Sequence, residues 1–108
     1  MRGTKFTVRG WEAVIAFLVH KDGDDVGIAV IDLKKGMTAR GKTLTGNREY
    51  SLTVLEDIPF GHKIALKNLQ KGDKVVEYGE IIGVATQDIP KGAHVHIHNL
   101  RSLRWGGE

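Results

Sequence analysis

Five histidines occur among 108 residues, and three of them stand two apart in Ala93-His94-Val95-His96-Ile97-His98-Asn99. Neutral imidazole is a common metal ligand and the usual proton carrier near neutral pH, so this row could hold a cation or move a proton. Its alternation with Val95 and Ile97 predicts a β-strand over 93–99. Side chains two apart on a strand share a face, so the imidazoles should line one side while Val95 and Ile97 bury the other. A solvent-facing strand that merely carries polar residues would show the same spacing, so the row defines a candidate rather than a site.

Two further histidines have context. His62 follows the glycine in Pro59-Phe60-Gly61-His62-Lys63-Ile64-Ala65-Leu66. Strand alternation places it with Ile64 and Leu66 on the buried side and puts Lys63 outside, although a turn at Gly61 can re-aim it. A core histidine satisfied by a backbone carbonyl is the competing reading. His20 opens His20-Lys21-Asp22-Gly23-Asp24-Asp25, which lacks the ligand spacing and terminal Glu of a calcium loop. That stretch reads as a solvated acidic turn.

Other chemistries are excluded. With no cysteine there is no disulfide framework, thiolate zinc site or cysteine nucleophile. The absence fits a reducing compartment, and a cytoplasmic location is expected. The sequence has no Gly-rich phosphate loop and no Gly-x-Ser-x-Gly elbow, and its two serines, Ser51 and Ser102, lack a nucleophile's setting. The histidine row therefore reads as part of a site that another polypeptide completes.

The elements that must position these residues are short. A five-residue phrase recurs four times, as Asp32-Leu33-Lys34-Lys35-Gly36, Asp57-Ile58-Pro59-Phe60-Gly61, Asn68-Leu69-Gln70-Lys71-Gly72 and Asp88-Ile89-Pro90-Lys91-Gly92. The irregular spacing rules out a solenoid. In each phrase the Asp or Asn can accept from backbone N–H groups just ahead, the Leu or Ile plugs the core, and Gly permits positive φ. In two copies Pro would preset φ at the first central position of the turn. Each phrase is a corner between strands.

Strands are expected over Ala13–Val19, Val26–Ile31, Arg48–Leu55, His62–Leu66, Lys74–Tyr78, Ile81–Ala85 and Ala93–Asn99. Thr45-Gly46-Asn47 reads as a hairpin tip and Tyr78-Gly79-Glu80 as a second tight reversal. No run has helical periodicity. An all-β, barrel-like or clip-like single domain follows, with residues 1–12 as an N-terminal arm, 13–105 as the domain and 106–108 as a tail. Ala13–Val19 is too short to span a bilayer and is followed by charge rather than a cleavage site. The formal charge of +3 comes from scattered basic residues. Neither nucleic acid nor membrane is therefore expected as a partner.

Three stretches carry a resemblance: Asp57 to Leu66, Tyr78-Gly79-Glu80-Ile81-Ile82-Gly83, and Gly92 to Asn99. They resemble the small SAF-type domain of the altronate and galactarate dehydratase family, which is similar to the small subunit of sulfolactate sulfo-lyase. The similarity runs from about Phe17 to about Trp105. It implies a β-clip fold and a lyase that eliminates water from a sugar acid or sulfite from sulfolactate. It also implies a large catalytic lyase subunit as partner, a small hydroxy acid as substrate, and a divalent metal, generally iron, held largely by that partner. Carried over by position are His62, His96 and His98 as catalytic residues and Lys63 and Asn99 as substrate-binding residues. His96 and His98 are the implied metal ligands, with His94 and His20 as weaker ones. Asp25 to Val30 and Arg101 to Trp105 lean towards the sulfolactate type. The alternative is a non-catalytic carbohydrate- or partner-binding module on the same fold, and self-association of the chain stays open.

Overall fold

The computed structural model describes residues 14–45 and 48–103. The expected arm over 1–12, the tail over 106–108, Trp11, Trp105 and the Gly46-Asn47 tip lie outside the described residues. Within them the four phrases are corners, as expected, but they do not act alone. They pair. Leu33 and Ile58 form an isolated antiparallel bridge, as do Leu69 and Ile89. Each bridge is closed by two backbone hydrogen bonds of 2.7–2.8 Å.

The first residue of each phrase then caps its partner. The Phe60 N–H donates to Asp32 Oδ1 at 2.8 Å and the Lys35 N–H to Asp57 Oδ1 at 2.9 Å. The second pair repeats the arrangement, with Lys91 N–H to Asn68 Oδ1 at 2.8 Å and Lys71 N–H to Asp88 Oδ1 at 2.9 Å. The side chains thus accept from a remote phrase, not from backbone just ahead as expected. The carbonyls of Lys34, Pro59, Gln70 and Pro90 accept from the N–H three residues on, at 2.9–3.1 Å. The glycine two residues after each carbonyl has φ between 86° and 94°, the signature of a type II turn. Pro59 and Pro90 therefore stand at the first corner position of their turns, not at the first central position.

Between the corners run nine short strands and, among the described residues, no helix. They are β1 (Ile15–Val19), β2 (Val26–Ala29), β3 (Thr38–Thr43), β4 (Glu49–Thr53), β5 (Lys63–Ala65), β6 (Lys74–Glu77), β7 (Glu80–Ala85), β8 (His94–Val95) and β9 (Leu100–Ser102). A six-stranded sheet has the order β4-β3-β1-β2-β5-β8, and β6-β7-β9 form a second sheet. All pairings are antiparallel except β1 with β3. The all-β class is as expected, and no helix among the described residues is long and apolar enough to cross a membrane.

Two strands depart from the sequence reading. β3 buries Ala39, Gly41 and Thr43, all small, so it lacks the usual apolar pattern. The reason lies opposite: the buried Phe17 ring occupies the space over Gly41, where any Cβ would drive into it. β9 is three residues long and mostly exposed, too little to register as a periodicity.

The strand β5 joins two cores. Ile64 packs with Phe17, Leu33, Val54 and Ile58, while Ala65 packs with Val75, Leu69, Ile89 and Val95. Alternate side chains of one strand so anchor both halves of the molecule.

Replacing Asp57 by Ala is expected to destabilise the chain by about 1–2 kcal/mol, because it removes an ionised acceptor of a backbone N–H. Asp57→Asn should retain most of the stability, since Asn68 already fills the equivalent place. Urea unfolding with an unchanged slope and a lowered midpoint for the Ala variant alone would bear this out.

Candidate histidine site

β5 and β8 pair antiparallel, with Lys63 opposite Val95 and Ile64 opposite His94. One further step along the same register faces His62 with His96. The ladder stops there, and the strand predicted over 93–99 ends at Val95. From His96 the chain turns, its carbonyl accepting from the N–H of Asn99 at 3.1 Å and of Leu100 at 2.9 Å. Ile97 is 84% exposed at the tip of this turn, not buried as the alternation predicts.

Asn99 is the physical reason. Its Oδ1 accepts from the His96 N–H at 2.9 Å and its Nδ2 donates to the His94 carbonyl at 2.8 Å. One side chain thus offers these backbone groups the partners a continuing ladder would have supplied. It is only 4% exposed, with both polar ends engaged.

The turn does not scatter the imidazoles. His62 stacks on His96 with centroids 4.2 Å apart and an interplanar angle of 24°. His62 Nδ1 lies 2.9 Å from His94 Nε2, so one of these two nitrogens carries the shared proton. His94 and His96 are near-parallel at 5.5 Å, and His98 leans on His94 at 5.2 Å. One nitrogen from each of His62, His94 and His96 falls within 4.8 Å of the others. His98 is a rim member, outside that set of three.

Two of the rings are shifted away from protonation. Burial, followed by the neighbouring imidazoles His62, His98 and His96, lowers the His94 pKa below the ordinary value, against an opposing pull from Glu56. Glu56 also accepts the His94 N–H at 3.0 Å. The His96 pKa is lowered by burial and then by His62, His98 and the Lys63 cation. Both shifts favour the neutral ring, the state that a metal ligand or a general base requires. A nitrogen pair 2.9 Å apart suits two imidazoles on one ion at about 2.0–2.1 Å each. The donor set so fits a divalent transition metal.

His20 belongs elsewhere. Its ring stacks on Tyr78 at 4.3 Å and its Nε2 lies 3.7 Å from Glu77 Oε2, while its Nδ1 is buried without a partner. Lys63 Nζ reaches the other oxygen of the same carboxylate, Glu77 Oε1, at 3.8 Å. The acidic stretch beside His20 is an exposed turn over 21–23, as expected, but its last two acids are not solvated. Asp24 and Asp25 are 6% and 3% exposed. Asp24 accepts from the N–H groups of Tyr78 at 2.8 Å and Gly79 at 3.0 Å. Asp25 accepts from the Val76 N–H at 2.8 Å and pairs with Lys67 Nζ at 2.8 Å. These carboxylates tie the β6–β7 hairpin to the first sheet, which explains their burial. Glu77 and Glu56 went unnoticed in the sequence because neither lies near a histidine along the chain. Only the fold brings them to histidines.

The sequence profile of the altronate/galactarate dehydratase SAF domain matches residues 15–103. The (2R)-sulfolactate sulfo-lyase subunit alpha of Chromohalobacter salexigens is 36% identical over 92 residues, which is 84% of this chain and 98% of that protein. Its counterpart in Paracoccus pantotrophus is 49% identical over 59 residues, 55% of this chain and 88% of that protein. Altronate dehydratase of Bacillus subtilis is 39% identical over 84 residues, 78% of this chain but 16% of that enzyme.

The lowered pKa values of His94 and His96 set a sign for stability. In the unfolded chain these rings take up protons around pH 6.5, while in the folded chain they do so only at lower pH. Between the two, the unfolded state holds more protons, so stability falls as pH drops from about 6.5 towards the folded pKa values. Urea unfolding of the metal-free chain at about pH 7 and about pH 5 should show this loss. The double substitution of His94 and His96 by Gln should flatten it.

Proposed function

This chain belongs to the altronate/galactarate dehydratase SAF-domain family, and from that membership we propose that it is the small subunit of a two-polypeptide lyase acting on a small hydroxy acid. One observation carries the reading. The match spans 98% of a sulfo-lyase alpha subunit but only 16% of an altronate dehydratase. The domain is thus a whole subunit in one kind of relative and a minor part of a long chain in the other. The first arrangement is the one proposed here, with sulfite as leaving group. Loss of water from a sugar acid is the second reading, favoured by 39% identity over 84 residues to altronate dehydratase.

His62, His94 and His96 are the residues proposed to hold a divalent ion, iron being the ion expected, with further ligands from the large subunit. When bound, such an ion supplies Lewis-acid stabilisation of negative charge that develops beside the substrate's carboxylate. The chain's own residues do the rest. His98, on the rim, is proposed to carry a proton: it takes the proton from the carbon beside the carboxylate, and the C–H electron pair becomes the new C=C bond. The C–S or C–O bond on the next carbon then breaks, and its electron pair leaves with sulfite or with the departing oxygen. Loss of water requires that oxygen to be protonated, whereas sulfite leaves without this help. Lys63 is proposed to receive the substrate's anionic group. Asn99, which the resemblance assigns to substrate binding, is proposed instead as a positioning residue, because both its polar groups hold the turn that carries His94 and His96.

The isolated chain should show no turnover of sulfolactate, altronate or galactarate. Assembled with its large subunit, the wild-type complex should turn over one of them, and His98→Ala should lower kcat about 100-fold or more. Unchanged turnover in an assembled His98→Ala complex would remove that role. Asn99→Ala should weaken Fe(II) binding to the small chain about 10–100-fold, measured by calorimetry under anaerobic conditions. His98→Ala should leave that affinity nearly unchanged.

A further inference from the structure

The four corner phrases provide an internal control on what the fold requires. They share one turn geometry, with the fourth residue of each phrase at the turn's tip and its N–H held by the partner phrase. In three copies that fourth residue is an exposed lysine, Lys35, Lys71 or Lys91. In the copy that leads directly into His62 it is Phe60, 67% exposed. Nothing in the turn asks for an aromatic ring there, since the same turn forms three times with a cation.

Phe60 does not stand alone. The β5–β8 ladder runs out at Lys63 and Val95, and both chains enter turns at that same end. One turn presents Phe60 and the other presents Ile97, the most exposed large apolar residue of the described chain at 84%. Exposed Leu55 lies towards the other end of β8, its N–H bonded to the Gly92 carbonyl at 3.0 Å, next to Glu56, which holds the His94 N–H. Exposed Ile31 precedes Asp32, whose carboxylate accepts from the Phe60 N–H. Phe60 and Ile97 thus stand on the two turns that adjoin the stacked His62 and His96 in the chain. Scattered exposed apolar residues are ordinary, but a group that frames a half-built donor set is the anatomy of an interface core around a polar centre.

We infer that the Phe60–Ile97 face is the docking surface for the large lyase polypeptide, so that the interface and the histidine site are one surface. The inference rests on the two-polypeptide reading above. The comparison with altronate dehydratase identifies the occupant: there the same domain is 16% of a single chain, so most of that enzyme lies outside the match and is available to cover it. Here the corresponding length would come from a separate polypeptide.

The test uses the whole chain, co-expressed and purified with the polypeptide of the same genome that matches the remainder of altronate dehydratase. Phe60→Lys installs the residue that three sister turns already carry, so its thermal midpoint should equal that of the wild type, and Ile97→Asn should also fold. Each variant should weaken association with the large polypeptide about tenfold or more, with unchanged Fe(II) affinity of the small chain alone. If the wild type binds and both folded variants bind equally well, the docking face is wrong while the lyase reading stands. If the wild type itself fails to bind, the two-polypeptide reading fails and takes the face with it. If the variants instead abolish a dimer of the small chain, seen by sedimentation, and leave the large polypeptide bound, a second copy covers the face and the inference is overturned.

Discussion

Reciprocal capping between paired corners is the constraint on which this structure depends. Four side-chain oxygens each accept a backbone N–H from a phrase 17 to 28 residues away. Most of the strands are too short to stand alone, and β8 has only two residues. Short strands hold register poorly unless their ends are pinned. Here each corner is locked to another corner. The buried Leu33, Ile58, Leu69 and Ile89 fill the two cores directly behind the locks. Capping and core burial therefore act on the same four places in the chain.

The histidine site inherits its geometry from those corners. His62 is the residue that closes the Pro59 turn, its N–H donating to the Pro59 carbonyl at 3.0 Å, while its own carbonyl accepts from Ala29 at 2.8 Å. His94 comes two residues after the Gly92 turn, held by Glu56 on one side and Asn99 on the other. Gly92 itself has no room for a side chain, because a Cβ there would strike the Thr53 carbonyl. A positive φ and a close backbone approach coincide at that residue. The rings can crowd together because the backbone beneath them is fastened at each step. Burial first, and then repulsion between neighbouring imidazoles, lowers the pKa of His94 and His96.

Much of this was legible in the residues. The all-β class followed from short apolar runs between turn signals, and the Asp/Asn-x-x-x-Gly phrases marked the four paired corners. The convergence of His94, His96 and His98 was expected from their spacing, yet the structure achieves it differently. Period two implied a strand that would bury Ile97. Asn99 instead folds the chain back, and side-chain capping of a turn leaves no periodic trace. Asp24 and Asp25 looked like a solvated loop because composition cannot reveal which backbone donors lie 51 to 55 residues away. β3 was hidden because its buried face had to be small beneath Phe17. Each miss has the same origin: a partner remote in sequence decided the local outcome.

Lys63 is where the histidine cluster meets the β6–β7 hairpin. Its cation lowers the His96 pKa, and its Nζ lies 3.8 Å from the carboxylate of Glu77. Glu77 in turn faces His20, whose ring is pressed against Tyr78. Tyr78 has φ of 62°, the one positive value on a non-glycine residue among those described. Such a conformation persists only when its surroundings over-determine it. Here Asp24 does so, by accepting the N–H of both Tyr78 and Gly79. The strained tip of the β6–β7 hairpin is thereby coupled through His20 and Glu77 to the lysine beside the imidazoles. The Lys63 cation that acts on His96 is thus held by a hairpin that contributes no histidine to the cluster.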